Sequence, residues 1–229
     1  MIPLSDMNPA SRPAIVNRLL LVINIAAWLY AFSLSRDQAA LQAFYDRYAF
    51  DWDAFVGALG AGRYTLETFA PLFTHMFLHA GWLHVIGNML YLWIFGDNVE
   101  DRLGSARYLV FYLLCGVAAA IGQGLISGGP LVGASGAIAG VLGAYLVMFP
   151  GTRIRTLIFL GIFITVVQLP AVIVIGFWIV IQIVSSLAEL RVSAQQATEQ
   201  VAYFAHVIGF VAGIVLLFFF RPRRDARLR

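Results

Sequence analysis

The chain has 229 residues, 61% of them hydrophobic and only 12% charged, with a mean hydropathy of +0.83. That composition cannot cover a soluble globule with polar surface, so it excludes a soluble domain and indicates a membrane protein. The net charge of +3 comes from arginine alone, and most of the 15 arginines lie near the ends of apolar runs. Such a pattern sets orientation in a bilayer and gives no sign of nucleic-acid binding.

A span needs about 20 apolar residues to cross a hydrocarbon core of ~30 Å. Read this way, the chain is a single membrane domain over residues 1–229, with spans near 18–34, 82–96, 108–126, 135–149, 170–187 and 201–220. Residues Met1 to Pro13 have no apolar core, and the run from Leu19 is followed by no small-residue cleavage site. It therefore reads as a retained span and not a signal peptide, and no organellar presequence is expected. The single cysteine, Cys115, excludes an intrachain disulfide and reads as a small core residue.

After the first span, Ser35 to Gly81 is mixed, with Asp37, Asp46, Asp51, Asp53 and Glu67 among Trp52, Phe55, Tyr64 and Phe69. A loop this long, with aromatics at irregular spacing, predicts a structured interfacial element with short helices in the headgroup region. In it, His75 and His79 read as structural residues. The second span carries His84 and Asn88 four residues apart, hence on one helix face. A polar link follows with Asp97, Glu100, Asp101, Arg102 and Arg107, and the third span ends at the turn Ser127-Gly128-Gly129-Pro130.

The fourth span opens at Gly133-Ala134-Ser135-Gly136 and stops before Pro150-Gly151, too short to cross the whole core. The apolar tract from Thr156 to Leu187 exceeds one span, so the fifth span is placed after Pro170 and Leu157 to Gln168 reads as interfacial or tilted. A polar stretch, Glu189 to Gln200, precedes the sixth span. With both termini inside, cytoplasmic segments hold Arg12, Arg18, Arg102, Arg107, Arg153, Arg155 and the five arginines of the tail. The other side holds Arg36, Arg47, Arg63 and Arg191, so an even number of spans satisfies the positive-inside rule.

Ser135 is a candidate nucleophile and His206, far downstream in Ala205-His206-Val207-Ile208-Gly209, a candidate base. At about 1.5 Å per residue, both lie roughly 22 Å above the inner boundary and His84 roughly 20 Å above it. Gly136, Gly140 and Gly143 form one small-residue stripe, and Gly209 and Gly213 another on the face of His206, so the two helices can pack closely. Ser135 sits at a helix N-terminus, where its own amide is a natural oxyanion donor, and His84 and Asn88 could add side-chain donors. A serine in an apolar helix is usually structural, and an asparagine there is usually interhelical glue. An intramembrane histidine is costlier, and these features share one depth. No Asp or Glu falls mid-span to orient His206, so a dyad is expected and not a triad.

These residues resemble the rhomboid family of intramembrane serine proteases. Gly133-Ala134-Ser135-Gly136 is similar to the family's Gly-x-Ser-Gly, and His84-Val85-Ile86-Gly87-Asn88 to its His-x-x-x-Asn. Ala205-His206-Val207-Ile208-Gly209 with Gly213 is similar to its Ala-His-x-x-Gly-x-x-x-Gly, and Gly96 to Gly104 to the link after the second span in bacterial members. The resemblance implies an all-α bundle of six transmembrane helices with a long interfacial loop between the first two. It also implies Ser135 as nucleophile, His206 as general base, and His84, Asn88 and the Ser135 amide around the oxyanion. Substrates would be transmembrane segments entering sideways, with the fifth span often proposed as the gate. No cofactor or metal is expected, and the partners are the lipid bilayer and transmembrane protein substrates. The location expected is a bacterial inner membrane with cytoplasmic termini.

Two places depart from the family pattern. The Trp-Arg that many members carry in the first long loop is here Ala70-Pro71, and the aromatic one turn after the nucleophile is here Ala139, for which Tyr203 could substitute. Competing readings are a catalytically silent rhomboid-like protein that binds membrane segments and a small polytopic transporter. Retention of both Ser135 and His206 argues against the first, and the lack of mid-depth acidic residues against the second.

Overall fold

The computed structural model describes residues 1–161, 163–189 and 202–220. Most of the expected polar stretch before the sixth span, with Arg191, the first residue of that span and the arginine-rich tail lie outside the described residues.

Strand β1 (Ile2–Asp6) leads to helix α1 (Ile15–Ser33). The residue before α1 is Ala14, which offers no side-chain cap. The cap comes from elsewhere in the chain: the Glu100 carboxylate accepts from the backbone N–H of Val16 at 3.0 Å and of Asn17 at 2.7 Å. It also accepts from Ser105 Oγ at 2.6 Å. An anion at the N-terminus satisfies otherwise orphaned donors and favours the helix dipole.

The loop after α1 is largely helical, with α2 (Gln38–Tyr48), β2 (Phe50–Asp51), α3 (Trp52–Gly60), α4 (Leu66–Phe69), α5 (Pro71–Thr74) and a 3-10 turn at His75–Phe77. Asp37 and Asp51 cap α2 and α3, accepting from Ala40 N–H and Ala54 N–H at 3.0 and 2.8 Å. Its irregularly spaced aromatics pack on one another: Phe55 lies 5.5 Å from Phe50, 6.3 Å from Trp52 and 5.9 Å from Phe69 between ring centroids. Pro71 opens α5 at its first turn, so Ala70-Pro71 ends one short helix and starts the next.

Helices α6 (Trp82–Leu103) and α7 (Ser105–Ser127) correct the expected polar link. The charged run does not form a loop. It extends α6 by two turns and reverses at Gly104 alone, with φ 82, a backbone conformation that glycine adopts without strain. The polar groups that suggest a loop are used as caps and ties: Asn98 Nδ2 donates to Asp6 at 2.8 Å, and Asp101 accepts from Ser11 N–H at 2.9 Å.

Strand β3 (Pro130–Leu131) pairs antiparallel with β2 and precedes α8 (Ser135–Met148). Residues Gly136 to Tyr145 of α8 are all buried, as befits a helix apolar on every face at the centre of the core. Its glycines meet those of α10 (Tyr203–Phe220): a Cβ on Gly209 would collide with the carbonyl of Gly136, and one on Gly213 with that of Gly140. Backbone-to-backbone contact of this kind requires the absent side chains.

Between α8 and α9 (Ala171–Glu189) the expected interfacial or tilted stretch is a β-hairpin, β4 (Arg153–Leu160) and β5 (Phe163–Pro170). β1 adds to it, giving a three-stranded antiparallel sheet in the order β1-β4-β5. The all-α expectation is thereby corrected. Residues on both faces of this hairpin are apolar, so the alternation that identifies a strand is missing from the sequence. By length and composition, α1, α7, α9 and α10 can each cross a membrane, while α8 has 14 residues.

Candidate active site

The segment before α8 is held from the loop side. Gly133 adopts φ 123, and its N–H donates to the carbonyl of His75 at 2.9 Å. With the β2–β3 pairing, this fixes where α8 begins and where Ser135, its first residue, stands. The first backbone bond of α8 runs from Ile138 N–H to Ala134 O, so the Ser135 amide is one of the donors the helix leaves to other acceptors.

Helix α10 is fixed in a matching way. Gln123 of α7 accepts from the N–H of Ala205 at 2.9 Å, capping the first turn of α10 next to His206. The glycine contact between α8 and α10 then puts Ser135 and His206 at the same end of two touching helices. Both line one cavity of about 790 Å³, together with His84, Asn88, Tyr91 and Trp178. No direct hydrogen bond joins the Ser135 hydroxyl to the His206 ring; what they share is the cavity wall.

The two predicted oxyanion donors reach the same place. Ala80 N–H donates to His84 Nδ1 at 3.3 Å, which makes Nδ1 an acceptor and leaves the proton on Nε2 in the neutral ring. That Nε2 lies against Gly133, where a Cβ would be 2.7 Å from it. Asn88 is buried and its Nδ2 has no protein partner, so an amide donor is available at the cavity wall. The four side chains singled out by sequence thus surround one space.

The structure adds two residues from α9. Gln182 Oε1 lies 2.7 Å from His206 Nδ1, and the Trp178 ring lies 5.8 Å from the imidazole at 36°. Tyr203 also meets His206, edge-on at 6.3 Å and 87°, so Trp178 is the ring closer to parallel. Neither α9 residue was identifiable by motif: an amide and an indole in an apolar run read as packing. Their spacing of four, which puts them on one face, was the available signal.

His75 and His79 stay outside this wall as structural loop residues. Burial pushes their pKa values down to about 4 and about 3, keeping both neutral. His75 Nδ1 donates to Pro71 O at 2.9 Å, and the ring of His79 packs 5.1 Å from that of His84. Among the described residues, no cluster of His, Cys, Asp and Glu suited to a metal ion occurs.

Fold and site together define a multi-pass helical membrane protein with a serine- and histidine-bearing cavity at the N-terminal end of a short buried helix. Residues 66–223 match the Rhomboid domain family. The chain belongs to the rhomboid family. It is 45% identical over 75 residues to the Rhomboid protease GluP of Bacillus subtilis (strain 168), covering 33% of this chain and 15% of that protein. It is 36% identical over 70 residues to the Rhomboid protease GlpG of Yersinia pestis (strain Pestoides F), covering 31% of this chain and 25% of that protein. The matched stretch therefore spans a quarter or less of either relative.

Proposed function

We propose that this chain is an intramembrane serine endopeptidase that hydrolyses peptide bonds in or near transmembrane segments. The observation that carries the reading is the convergence of Ser135, His206, His84 and Asn88 on one cavity, with the Asn88 amide unpartnered. Ser135 Oγ would attack the scissile carbonyl carbon while its proton passes to His206 Nε2. Negative charge on the former carbonyl oxygen would be met by the Ser135 amide, the Asn88 Nδ2 and the His84 Nε2–H, donors held in place before the reaction. Collapse of the tetrahedral intermediate breaks the C–N bond, and the leaving amine takes the proton from His206. Water, deprotonated by the same ring, then cleaves the ester to Ser135 and restores the free hydroxyl.

Six crossings with cytoplasmic termini in a bacterial cell membrane complete the proposal, supported by the arginine distribution. Substrates would be membrane-spanning proteins reaching the cavity from the lipid. The test is cleavage of a model transmembrane substrate by purified protein. Ser135→Ala and His206→Ala are each expected to abolish cleavage, a loss of at least 10³-fold, while melting like the parent chain. Normal cleavage by either variant removes the dyad.

A further inference from the structure

A neutral imidazole serves as a base only through the nitrogen that lacks a proton, so a general base needs its tautomer fixed. Among the described residues no carboxylate does so. Gln182 Oε1 faces His206 Nδ1 at 2.7 Å, and both side chains are buried. Which end of the amide faces the ring follows from its other bond: Gln182 Nε2 donates to the carbonyl of Trp178, one turn back on α9, at 3.4 Å. Oε1 is then the end toward the ring, and an amide oxygen can only accept. Nδ1 must carry the proton and Nε2 must present the lone pair.

We infer that Gln182 is a positioning residue that holds His206 in its Nδ1–H tautomer, a neutral orienting group for the base proposed to serve Ser135. The inference rests on the proposed protease reading, and it adds a role that neither the family match nor the relatives assign. Trp178, on the same face of α9, covers the ring and limits its rotation. Because both contacts come from α9, the orientation of the base depends on where that helix sits.

Gln182→Met keeps side-chain length and removes the acceptor; Gln182→Glu restores one. In cleavage assays of the full chain in detergent, Gln182→Met is expected to lower kcat about 10- to 100-fold with KM little changed, as loss of one buried hydrogen bond to the base would do. Gln182→Glu is expected to recover most of that loss. With 15N-histidine labelling, the His206 signals, assigned by their absence in His206→Ala, are expected to show a protonated Nδ1 in the parent chain. In Gln182→Met they should show a mixture of tautomers. An unchanged kcat with unchanged His206 signals would overturn the inference while leaving the protease reading intact. If the parent chain neither cleaves substrate nor takes a serine-directed fluorophosphonate at Ser135, the protease reading fails, and the tautomer signals still decide what Gln182 does to the ring. A Gln182→Met variant that unfolds, with Gln182→Glu equally inactive, would assign Gln182 to packing and overturn the inference.

Discussion

At the scale of single residues, buried polar groups tie distant parts of the chain together. Asp6 on β1 shows the cost and use of such a tie. It accepts from Tyr145 at 2.6 Å and from Asn98 at 2.8 Å, joining the N-terminal strand to α8 and α6. Burial is the largest influence on its carboxyl and pushes the pKa from 3.8 up to about 6. The native chain therefore holds a proton that the unfolded chain releases between these values, so the native state binds more protons in that window. Stability from this group is fully present below about pH 3.8 and is lost as pH rises through about 6. Melting temperature in detergent, followed from pH 4 to 7, should carry a downward component in that interval. Asp6→Asn, which cannot ionise, should remove it; an Asp6→Asn curve parallel to the parent's would refute the assignment. The sequence made Ser135, His206, His84 and Asn88 visible because each is a polar side chain set within an apolar run. Gln182 is equally conspicuous, but no local rule says which of several intramembrane polar groups meet, and the expected dyad left no place for it.

At the scale of elements, the apolar helices α1, α7, α8, α9 and α10 were legible from hydropathy, and the α8–α10 seam from glycine spacing. The hairpin was hidden because a strand that is apolar on both faces lacks a period-two signal, and the α6 extension because its charges cap other elements instead of facing water. The seam makes the sharpest element-scale prediction. A Cβ at Gly209 would collide with Gly136 backbone, which cannot rotate away as a flexible side chain could. Gly209→Ala should force α8 and α10 apart, costing about 1–3 kcal/mol as overpacking does, and should move Ser135 relative to His206 enough to depress cleavage. Gly176 on α9 has open space around it. Gly176→Ala should be neutral or more stable by up to about 1 kcal/mol from helix propensity alone. Thermal unfolding of the two variants side by side checks this, and equal effects at both positions would mean that the seam tolerates separation.

At the scale of the whole molecule, strand pairing sorts the chain into two ends. One end holds β1, β4 and β5, the Gly104 reversal and the last residue of α10, whose carbonyl accepts from Arg107 at 3.5 Å. The opposite end holds the 35–81 segment, the β2–β3 pair and Ser135. Arg102, Arg107, Arg153 and Arg155 fall at the first end, and Arg36, Arg47 and Arg63 at the second, so the fold and the arginine count orient the protein the same way. The first end should then face the cytoplasm and the cavity lined by Ser135 and His206 the outside. Replacing the buried Cys115 by alanine leaves a chain without thiols into which single cysteines can be placed. Leu66 on α4 and Thr165 on β5 are both exposed, one at each end. In intact bacterial spheroplasts, a membrane-impermeant maleimide should label Leu66→Cys at once and Thr165→Cys only after the membrane is opened. The reverse pattern would turn the molecule over, and equal labelling of both sites before opening would put the two ends on one side, which the three proposed crossings between Leu66 and Thr165, by α6, α7 and α8, do not permit.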